Sequence, residues 1–350
     1  MTTIKFATGN LLETNVEALV NTVNTVGVMG KGVALQFKQA FPDNYRAYRS
    51  AYERGEIRIG NMFVFQTGRL ENPRFIINFP TKRDWRQKSR LEDIRLGLVN
   101  LVEVVRDLGI HSIAVPPLGC GNGGLDWSQV RPLIESSLRE LVNVEVQIYA
   151  PLGAPDPSLM PVGTEKPPMT SGRAALVGIF GDYIVPGYRL GLLEIQKLAY
   201  LVQSAGQPLD LEFVKQQYGP YSETLNHVLQ RIEGHFIRGY GDRTNQGTKI
   251  EVFDDAIKQA RNYLVDEPET LERFGRVRNL IDGYETPGGL ELLATVHWVA
   301  TRINPSAKTD VEEAIAGVHS WNKRKKELFP REHIQLAWSQ LSSQGWFEDN

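Results

Sequence analysis

Residues 18–38 read ALVNTVNTVGVMGKGVALQFK, and this stretch decides the fold of the first half of the chain. Its apolar, β-branched run from Leu19 to Val23 predicts a buried strand. The strand gives way to a loop with three glycines, and the loop runs into an apolar pattern of helical spacing that starts at Val33. Glycine lets a backbone approach a ligand closely, and a helix N-terminus presents unpaired N–H groups with partial positive charge. The stretch therefore predicts a phosphate-binding loop.

A second glycine-rich turn, PLGCGNGG at residues 117–124, follows a predicted strand and precedes a predicted helix near Asp126. Two such loops at strand ends suit a ligand with two linked phosphates. The first loop lacks the Ser or Thr that Walker A places after Gly-Lys, because Gly32 follows Lys31, and its GxxGxG spacing differs from the dinucleotide pattern GxGxxG. The spacing therefore argues against a P-loop ATPase and a nicotinamide dehydrogenase.

Strand and helix patterns alternate through the first 150 residues, which predicts an α/β fold with a mixed sheet flanked by helices on both faces. The predicted strands are Ile4–Ala7, Leu19–Val23, Met62–Gln66, Phe75–Phe79, Ser112–Val115 and Glu145–Tyr149, and the predicted helices are Val33–Ala40, Asn44–Arg54, Leu91–Asp107 and Val130–Leu141. Ligands of such sheets bind beyond the carboxyl ends of strands, where both glycine loops fall.

The rest of the chain predicts a linker and a second domain. Five prolines between residues 154 and 171 indicate a stiff, extended segment, so we expect a first domain at 1–153, a Pro-rich linker at 154–172 and a second domain at 173–350. Apolar residues of helical spacing, the turn Tyr218-Gly-Pro-Tyr221 and a terminal Gly345-Trp346 favour a smaller, mainly helical and winged-helix-like domain.

Composition narrows the class of protein further. Cys120 is the only cysteine, which excludes an intrachain disulfide and suits a reducing cytoplasm. No Cys/His cluster indicates a metal site, and no apolar run reaches the roughly 20 residues of a membrane span. Residues 1–150 carry 18 basic and 15 acidic residues, a net charge of +3, and the remainder carries 21 and 26, a net charge of −5. These balances are compatible with a nucleic-acid substrate for the first half and a basic partner for the second.

Several short motifs resemble those of the macrodomain family. They are Gly9-Asn-Leu-Leu12, Asn21-Thr-Val-Asn24, Gly30-Lys-Gly-Val-Ala34 and Leu118-Gly-Cys-Gly121. Macrodomains are α/β/α modules that bind ADP-ribose. With Pro80-Thr-Lys82 included, the pattern is similar to that of DarG-type DNA ADP-ribosyl glycohydrolases, which are antitoxins. The resemblance covers roughly residues 1–152, and the second domain agrees with it mainly in size.

The resemblance implies a set of site residues. Those expected to bind ADP-ribose are Asn10, Leu11, Asn24, Gly30, Lys31, Gly32, Val33, Thr81, Gly119, Cys120, Gly121, Asn122 and Gly123. Asn24 would contact the ribose distal to adenine, or it could cap its loop. Asn10 stands where macrodomains often place an aspartate, and its carbonyl oxygen can accept a hydrogen bond from the adenine amino group. Cys120 between glycines is expected to be a small residue in a tight turn.

From the residues alone, Lys82 could pair with the charge of a diphosphate or be a surface lysine, whereas the resemblance implies that it is the catalytic residue. Two roles remain open: attack on the anomeric carbon of the ribose through a transient imine, or assistance to departure of the thymine base. Related lysine-dependent glycohydrolases place an aspartate after the Gly-Cys-Gly turn, where this chain has Asn122 and two glycines. Its acid/base partner is therefore open, with Asp84 and Asp126 as candidates, and Asp126 also suits a helix N-cap.

The residues after Lys82 are basic around one aromatic side chain: Arg83, Trp85, Arg86, Lys88 and Arg90. This composition suits a nucleic-acid strand, with a base stacked on the indole. A charged loop with a tryptophan anchored in the core would have the same composition.

The leading hypothesis is an enzyme that hydrolyses ADP-ribose from thymidine in single-stranded DNA and needs no cofactor. ADP-ribose is then its ligand and product. The second domain would bind and inhibit the cognate DarT-like ADP-ribosyltransferase toxin. The alternatives are a non-catalytic ADP-ribose reader with a winged-helix regulatory domain and a glycohydrolase that acts on ADP-ribosylated protein.

Overall fold

The computed structural model describes residues 2–151, 159–185, 187–241 and 247–348. It divides into two compact units, with the break between Glu165 and Lys166. The domain boundaries predicted from the sequence stay predictions, and positions 154–158 of the predicted linker lie outside the described residues.

The first unit is a six-stranded mixed sheet with four helices, which confirms the predicted α/β fold. The strands are β1 (Thr3–Ala7), β2 (Ala18–Asn24), β3 (Phe63–Gln66), β4 (Phe75–Lys82), β5 (Ser112–Val115) and β6 (Glu145–Tyr149), and the helices are α1 (Gly32–Ala40), α2 (Pro42–Glu53), α3 (Leu91–Asp107) and α4 (Trp127–Leu138). In space the strands follow the order β1-β6-β5-β2-β4-β3. Only β3 runs antiparallel to its neighbour.

Both faces of the sheet are covered, because successive side chains of a strand point to opposite faces. Leu19 and Ile76 lie in one apolar cluster with Phe37 of α1. Val20 and Ile77 lie in another, which includes residues of α3 and α4. The continuous apolar runs of the central strands are therefore those of a sheet buried on both sides.

Strand β4 extends three residues further than predicted. The sequence predicted its end at Phe79, which was wrong, because β4 stays paired with β2 through the pair Asn24 and Lys82. The register shifts between Val23 and Asn24, opposite Pro80. Proline has no N–H to donate to a neighbouring strand, so the pairing continues past it only with an irregularity.

A network of buried asparagines lies three to four residues before these strand ends. Asn21 of β2 donates to Oδ1 of Asn78 on β4 at 2.9 Å, and Asn78 donates to Oδ1 of Asn44 on α2 at 2.7 Å. All three side chains are fully buried. Because a buried amide is costly unless it is paired, the network fixes β2, β4 and α2 relative to one another.

The second unit is mainly helical, as predicted. Its helices are α5 (Ser171–Tyr183), α6 (Leu192–Ser204), α7 (Glu223–Ile232), α8 (Asp254–Leu264), α9 (Pro268–Ile281), α10 (Pro287–Trp298), α11 (Val311–His319), α12 (Lys323–Leu328) and α13 (Arg331–Ser343). Its short strands are β7 (Leu190–Gly191), β8 (Val214–Gln216), β9 (Gly219–Tyr221), β10 (Ile237–Arg238) and β11 (Lys249–Val252). The turn predicted at Tyr218-Gly-Pro-Tyr221 was wrong in its position, because residues 217 and 218 turn the chain between β8 and β9 and Gly219–Tyr221 form β9 itself. A π-helical turn follows α10.

The winged-helix detail is not confirmed. In the described part of the chain no strand follows α13, and Gly345-Trp346 forms a turn whose indole is buried instead of a hairpin. Within the described ranges, no helix combines the length and apolar character needed to cross a membrane.

His297 on α10 is buried in this unit and holds the C-terminal turn. Its Nε2 donates to the carbonyl oxygen of Trp346 at 3.1 Å, so its Nδ1 accepts from the Tyr200 hydroxyl at 2.7 Å in the neutral ring. Burial lowers the pKa of His297 from 6.5 to about 4. The imidazole is therefore neutral in the folded protein at pH values where an exposed histidine begins to protonate.

This shift predicts a loss of stability in mild acid. The unfolded chain binds the proton more readily than the folded one, so His297 favours unfolding as the pH falls from 6.5 toward 4. Between pH 7.5 and pH 5 we expect a loss of about 2 kcal/mol in the free energy of unfolding. Urea unfolding followed by tryptophan fluorescence measures it. The pH dependence should shrink by that amount in His297→Gln and stay unchanged in the control His333→Gln, an exposed histidine. An unchanged dependence in His297→Gln contradicts the prediction.

Candidate active site

Asn24 and Lys82 lie side by side at the carboxyl ends of β2 and β4. The pairing is continued by the N–H of Thr25, which donates to the Lys82 carbonyl oxygen at 3.0 Å. The parallel pairing of these two strand ends thus brings a lysine and the start of the first glycine loop to one place. This is the edge of the sheet where an open α/β fold binds ligands.

The Lys82 ammonium is partly buried and reaches the second glycine loop. Its Nζ donates to the carbonyl oxygen of Asn122. Burial lowers the pKa of Lys82 below its ordinary value, because a desolvated ammonium is less stable than the neutral amine. A larger fraction of Lys82 is therefore the free amine, the form that acts as nucleophile or base.

No carboxylate in the described ranges lies within ion-pair distance of Lys82 Nζ. Asp84 accepts from the N–H of Arg86 at 2.8 Å through its Oδ1 and so forms a local turn. Asp126 is the N-cap of α4, accepting from the N–H of Ser128 at 2.9 Å, which lowers its pKa. Its predicted N-cap position is confirmed, and neither candidate acid/base partner contacts Lys82.

The Asn24 side chain holds the first glycine loop. Its Oδ1 accepts from the N–H groups of Val26 and Val28 at 3.0 and 3.2 Å, and its Nδ2 donates to the Val28 carbonyl oxygen. The buried Tyr48 hydroxyl of α2 donates to the Asn24 carbonyl oxygen at 2.6 Å. These contacts match the loop-capping alternative for Asn24, and one amide hydrogen remains for a ligand.

Unpaired backbone N–H groups follow in the same loop. Gly30, Lys31, Gly32 and Val33 donate to no acceptor in the part of the chain that the structure describes. Gly32 begins α1 with φ +62°, a left-handed conformation suited to glycine. Lys31 is exposed beside these groups. The loop and the helix N-terminus thus present a row of donors to an anion.

The second glycine loop is compact because two of its glycines have no room for a side chain. A Cβ on Gly123 would collide with the Gly119 carbonyl oxygen and with Oγ of the buried Ser89. Gly119 has φ +71°, and a Cβ there would lie 3.0 Å from Cβ of Ser89. Within the described ranges, the N–H groups of Gly121, Asn122 and Gly123 have no acceptor. This loop therefore offers a second set of anion donors next to Lys82.

Asn10 and Leu11 lie in the turn after β1. Asn10 Oδ1 accepts from the N–H of Leu12 at 3.1 Å and caps a short 3-10 helix, while its buried Nδ2 has no partner in the described structure. An amide oxygen has two lone pairs, so Oδ1 can still accept from the adenine amino group, and the role predicted for Asn10 stays a prediction. The Leu11 side chain is buried in the apolar cluster around Phe37, so only its backbone is available to a ligand.

Two remaining predicted residues have structural contacts. The buried Thr81 hydroxyl lies 3.4 Å from the Val23 carbonyl oxygen on β2, and Val33 packs against the core. Sequence reasoning missed Tyr48 and Ser89, which support the two loops from outside the motifs. Tyr48 belongs to the apolar face of α2, and Ser89 stands among charged residues, so neither carried a distinguishing signal.

Comparison with known proteins identifies the class of the first unit. The Macro domain family model matches residues 20–134. The solved macrodomain of Thermus aquaticus DarG is 58% identical, covering 43% of this chain and 100% of that chain, with a TM-score of 0.42. The first unit is a macrodomain.

One of two relatives extends the similarity to nearly the whole chain. A DNA ADP-ribosyl glycohydrolase of Thermus aquaticus is 50% identical over 343 residues, 98% of this chain and 94% of the relative. A DNA ADP-ribosyl transferase–DNA ADP-ribosyl glycohydrolase fusion protein of Thermosipho africanus is 38% identical over 170 residues, 44% of each chain. The chain belongs to the DNA ADP-ribosyl glycohydrolase (DarG) family, which confirms the resemblance seen in its motifs, and it is an ADP-ribosyl glycohydrolase.

Cys120 provides a test of the second loop. Its thiol lies 3.6 Å from the Leu118 carbonyl oxygen, and burial, with a smaller effect of Asp126, raises its pKa from 9.0 to about 11. The thiolate fraction falls about a hundredfold for two pKa units, so we expect iodoacetamide to alkylate Cys120 about a hundredfold more slowly than free cysteine at pH 8. Mass spectrometry of the intact protein follows the reaction. A rapidly alkylated thiol would contradict the structure.

Proposed function

We propose that this protein removes ADP-ribose from thymidine in single-stranded DNA in a reducing cytoplasm, with Lys82 as the catalytic residue. The observation that carries the proposal is the position of Lys82: partly desolvated, at the end of β4, and between two loops with unpaired N–H groups. An ADP-ribose reader needs donors for phosphates but has no need of an amine of lowered pKa at this position.

The two glycine loops would hold the diphosphate. The N–H groups of Gly30–Val33 lie in the loop after β2, and those of Gly121–Gly123 lie in the loop after β5, the other neighbour of β2. Backbone donors with helix N-terminal charge bind phosphate without a metal. The second lone pair of Asn10 Oδ1 would accept from the adenine amino group. The amide hydrogen of Asn24 that remains free would serve a ribose hydroxyl, and no cofactor is required.

The proposed reaction transfers the ribose from the base to water. In one route the free amine of Lys82 attacks C1 of the ribose, the bond from C1 to the base nitrogen breaks, and the base leaves with the bonding pair and takes a proton. The C1–O4 bond of the ribose ring then breaks to give the imine, and O4 takes the proton released from the nitrogen. Water adds to C1 of the imine, the C1–N bond breaks with transfer of a proton to the nitrogen, and ADP-ribose and the free amine are released. In the other route the Lys82 ammonium donates its proton to the departing base while water attacks C1. Both routes have the same stoichiometry and need Lys82.

The two routes predict the same loss of hydrolytic activity in a Lys82→Ala variant. With a single-stranded oligonucleotide that carries ADP-ribose on thymine, we expect kcat to fall at least about a hundredfold, because a positioned acid, base or nucleophile is lost. Mass spectrometry of the oligonucleotide follows the reaction, and calorimetry checks that ADP-ribose still binds. Lys5→Ala, an exposed lysine on β1, serves as the control. Full activity in Lys82→Ala would contradict the catalytic role of Lys82.

A trapping experiment separates the routes. Borohydride reduces an imine to a stable amine, so the nucleophilic route predicts a covalent adduct on Lys82 that contains ADP-ribose. Wild type that leaves the oligonucleotide intact while binding ADP-ribose would favour the reader, and cleavage of ADP-ribosylated protein alone would favour the protein-directed enzyme.

We further propose that the second unit binds and inhibits a DarT-like ADP-ribosyltransferase toxin. The fusion protein of Thermosipho africanus joins a transferase and a glycohydrolase in one chain, which indicates that the two activities operate together. The net charge of −5 beyond residue 150 favours a basic partner over DNA.

The full-length Lys82→Ala protein tests this interaction, because it cannot reverse the modification. Added to the transferase, NAD and an unmodified oligonucleotide, it should suppress ADP-ribosylation in proportion to its amount and completely at about equal concentrations of the two proteins. Serum albumin at the same concentration is the control. If only the wild-type protein lowers the level of modified DNA, reversal and not inhibition is responsible.

A further inference from the structure

The loop of residues 83–90, called the β4–α3 loop below, is fastened at both ends to the candidate active site. The Thr25 hydroxyl donates to the Arg83 carbonyl oxygen at 2.7 Å, and the Ser89 N–H donates to the Gly123 carbonyl oxygen at 3.0 Å. The Arg83 guanidinium also forms an ion pair of 3.0 Å with Asp93, which is buried in the first turn of α3. The loop therefore has a fixed position beside Lys82.

Trp85 stands at the outside of this loop. Its side chain is 51% exposed, so it is not the core anchor that the sequence left open as an alternative. The turn around it is held by Asp84, whose Oδ1 accepts from the Arg86 N–H and whose carbonyl oxygen accepts from the Gln87 N–H at 3.1 Å. The Arg86 guanidinium lies 4.3 Å from the centroid of the indole ring. A rigid loop thus presents an aromatic face and a cation together.

The charges around Trp85 are unbalanced. Arg86, Lys88 and Arg90 are exposed, and in the described ranges none of them forms an ion pair with a carboxylate. The Lys88 side chain lies beside Gly124, at about van der Waals distance, so it connects the β4–α3 loop to the second glycine loop. Several cations that lack a carboxylate partner, next to one exposed indole, suit a nucleic-acid strand, which carries both regularly spaced phosphates and planar bases. A protein chain has no such regular spacing of anions and rings.

We propose that Trp85 stacks on a base that flanks the modified nucleotide, while Arg86 and Lys88 contact the phosphates of the same single strand. The inference rests on the proposed function and adds to it a binding surface outside the ADP-ribose site. A base offers its face to an indole only where it is unstacked from its neighbours. The surface therefore selects single-stranded DNA over duplex, and the nucleotides next to the modified one contribute to binding.

Two substrates with the same scissile bond isolate this contribution. One is thymidine that carries ADP-ribose, and the other is a ten-nucleotide single strand with the same modification at its centre. For Trp85→Ala, we expect kcat/KM on the oligonucleotide to fall by roughly 5- to 150-fold, the value of one base–aromatic stack, and kcat/KM on the nucleoside to stay unchanged. Trp85→Phe should retain most of the activity because it keeps an aromatic face.

Phe6→Ala is the matched control. Phe6 is 50% exposed on the outer strand β1, and the Arg131 guanidinium lies 4.1 Å from its ring centroid, so the pair has the same chemistry outside the proposed surface. Phe6→Ala should leave kcat/KM unchanged on both substrates. In a plot of log(kcat/KM) against log salt concentration, the slope is negative, and Arg86→Gln should make it less steep by about 0.7, the value for one phosphate contact with a single strand.

The outcomes separate this inference from the proposed function. An unchanged kcat/KM of Trp85→Ala on the oligonucleotide overturns the stacking surface while leaving the glycohydrolase intact. An equal loss on both substrates also overturns it, because Trp85 would then support Lys82 and not the strand. If wild type hydrolyses neither substrate, the proposed function fails. Fluorescence anisotropy of the labelled, modified oligonucleotide then still decides the surface, with weaker binding expected for Trp85→Ala and equal binding contradicting it.

Discussion

The parallel pairing of β2 with β4 is the constraint on which the site depends. It continues to the last residue of both strands and so sets Asn24 next to Lys82, although 57 residues separate them in the sequence. The buried asparagines below, and Tyr48 beside them, keep this pairing in register, because each would lose a hydrogen bond in a dry environment if a strand slipped. The first glycine loop follows β2 and the β4–α3 loop follows β4, whereas the second glycine loop follows β5, the other neighbour of β2.

The sheet was predictable from the sequence to within a few residues, because its strands are apolar runs separated by helices of clear periodicity. Helix α3 was predicted with its observed bounds, Leu91–Asp107. The end of β4 was not predictable, because a proline in a run of strand residues is a local stop signal and only the partner strand shows that pairing continues. In the second unit the local patterns predicted helices, whereas the winged-helix detail depended on a terminal strand that long-range packing does not form.

The glycine loops and Lys82 could be found from sequence because they are contiguous motifs with a chemical meaning. The use of each polar atom could not be found, because it depends on distant residues. Asn24 stiffens its loop through Val28, and Asn10 Oδ1 accepts a hydrogen bond from the N–H of Leu12. The exposure of Trp85 likewise decided between two interpretations, a base-stacking residue and a core anchor, which the composition of the loop could not distinguish. Sequence therefore indicated where the chemistry lies, and the tertiary contacts decided which atoms remain for a ligand.

The protonated thiol of Cys120 has a consequence for the behaviour of the enzyme under oxidative stress. Peroxides oxidise thiolates and leave thiols largely untouched, and Cys120 is the only sulfhydryl in the chain. A raised pKa in the loop next to Lys82 therefore removes the route by which hydrogen peroxide inactivates many enzymes. Hydrolysis of ADP-ribose linkages would therefore continue at peroxide concentrations that stop enzymes with a reactive thiolate.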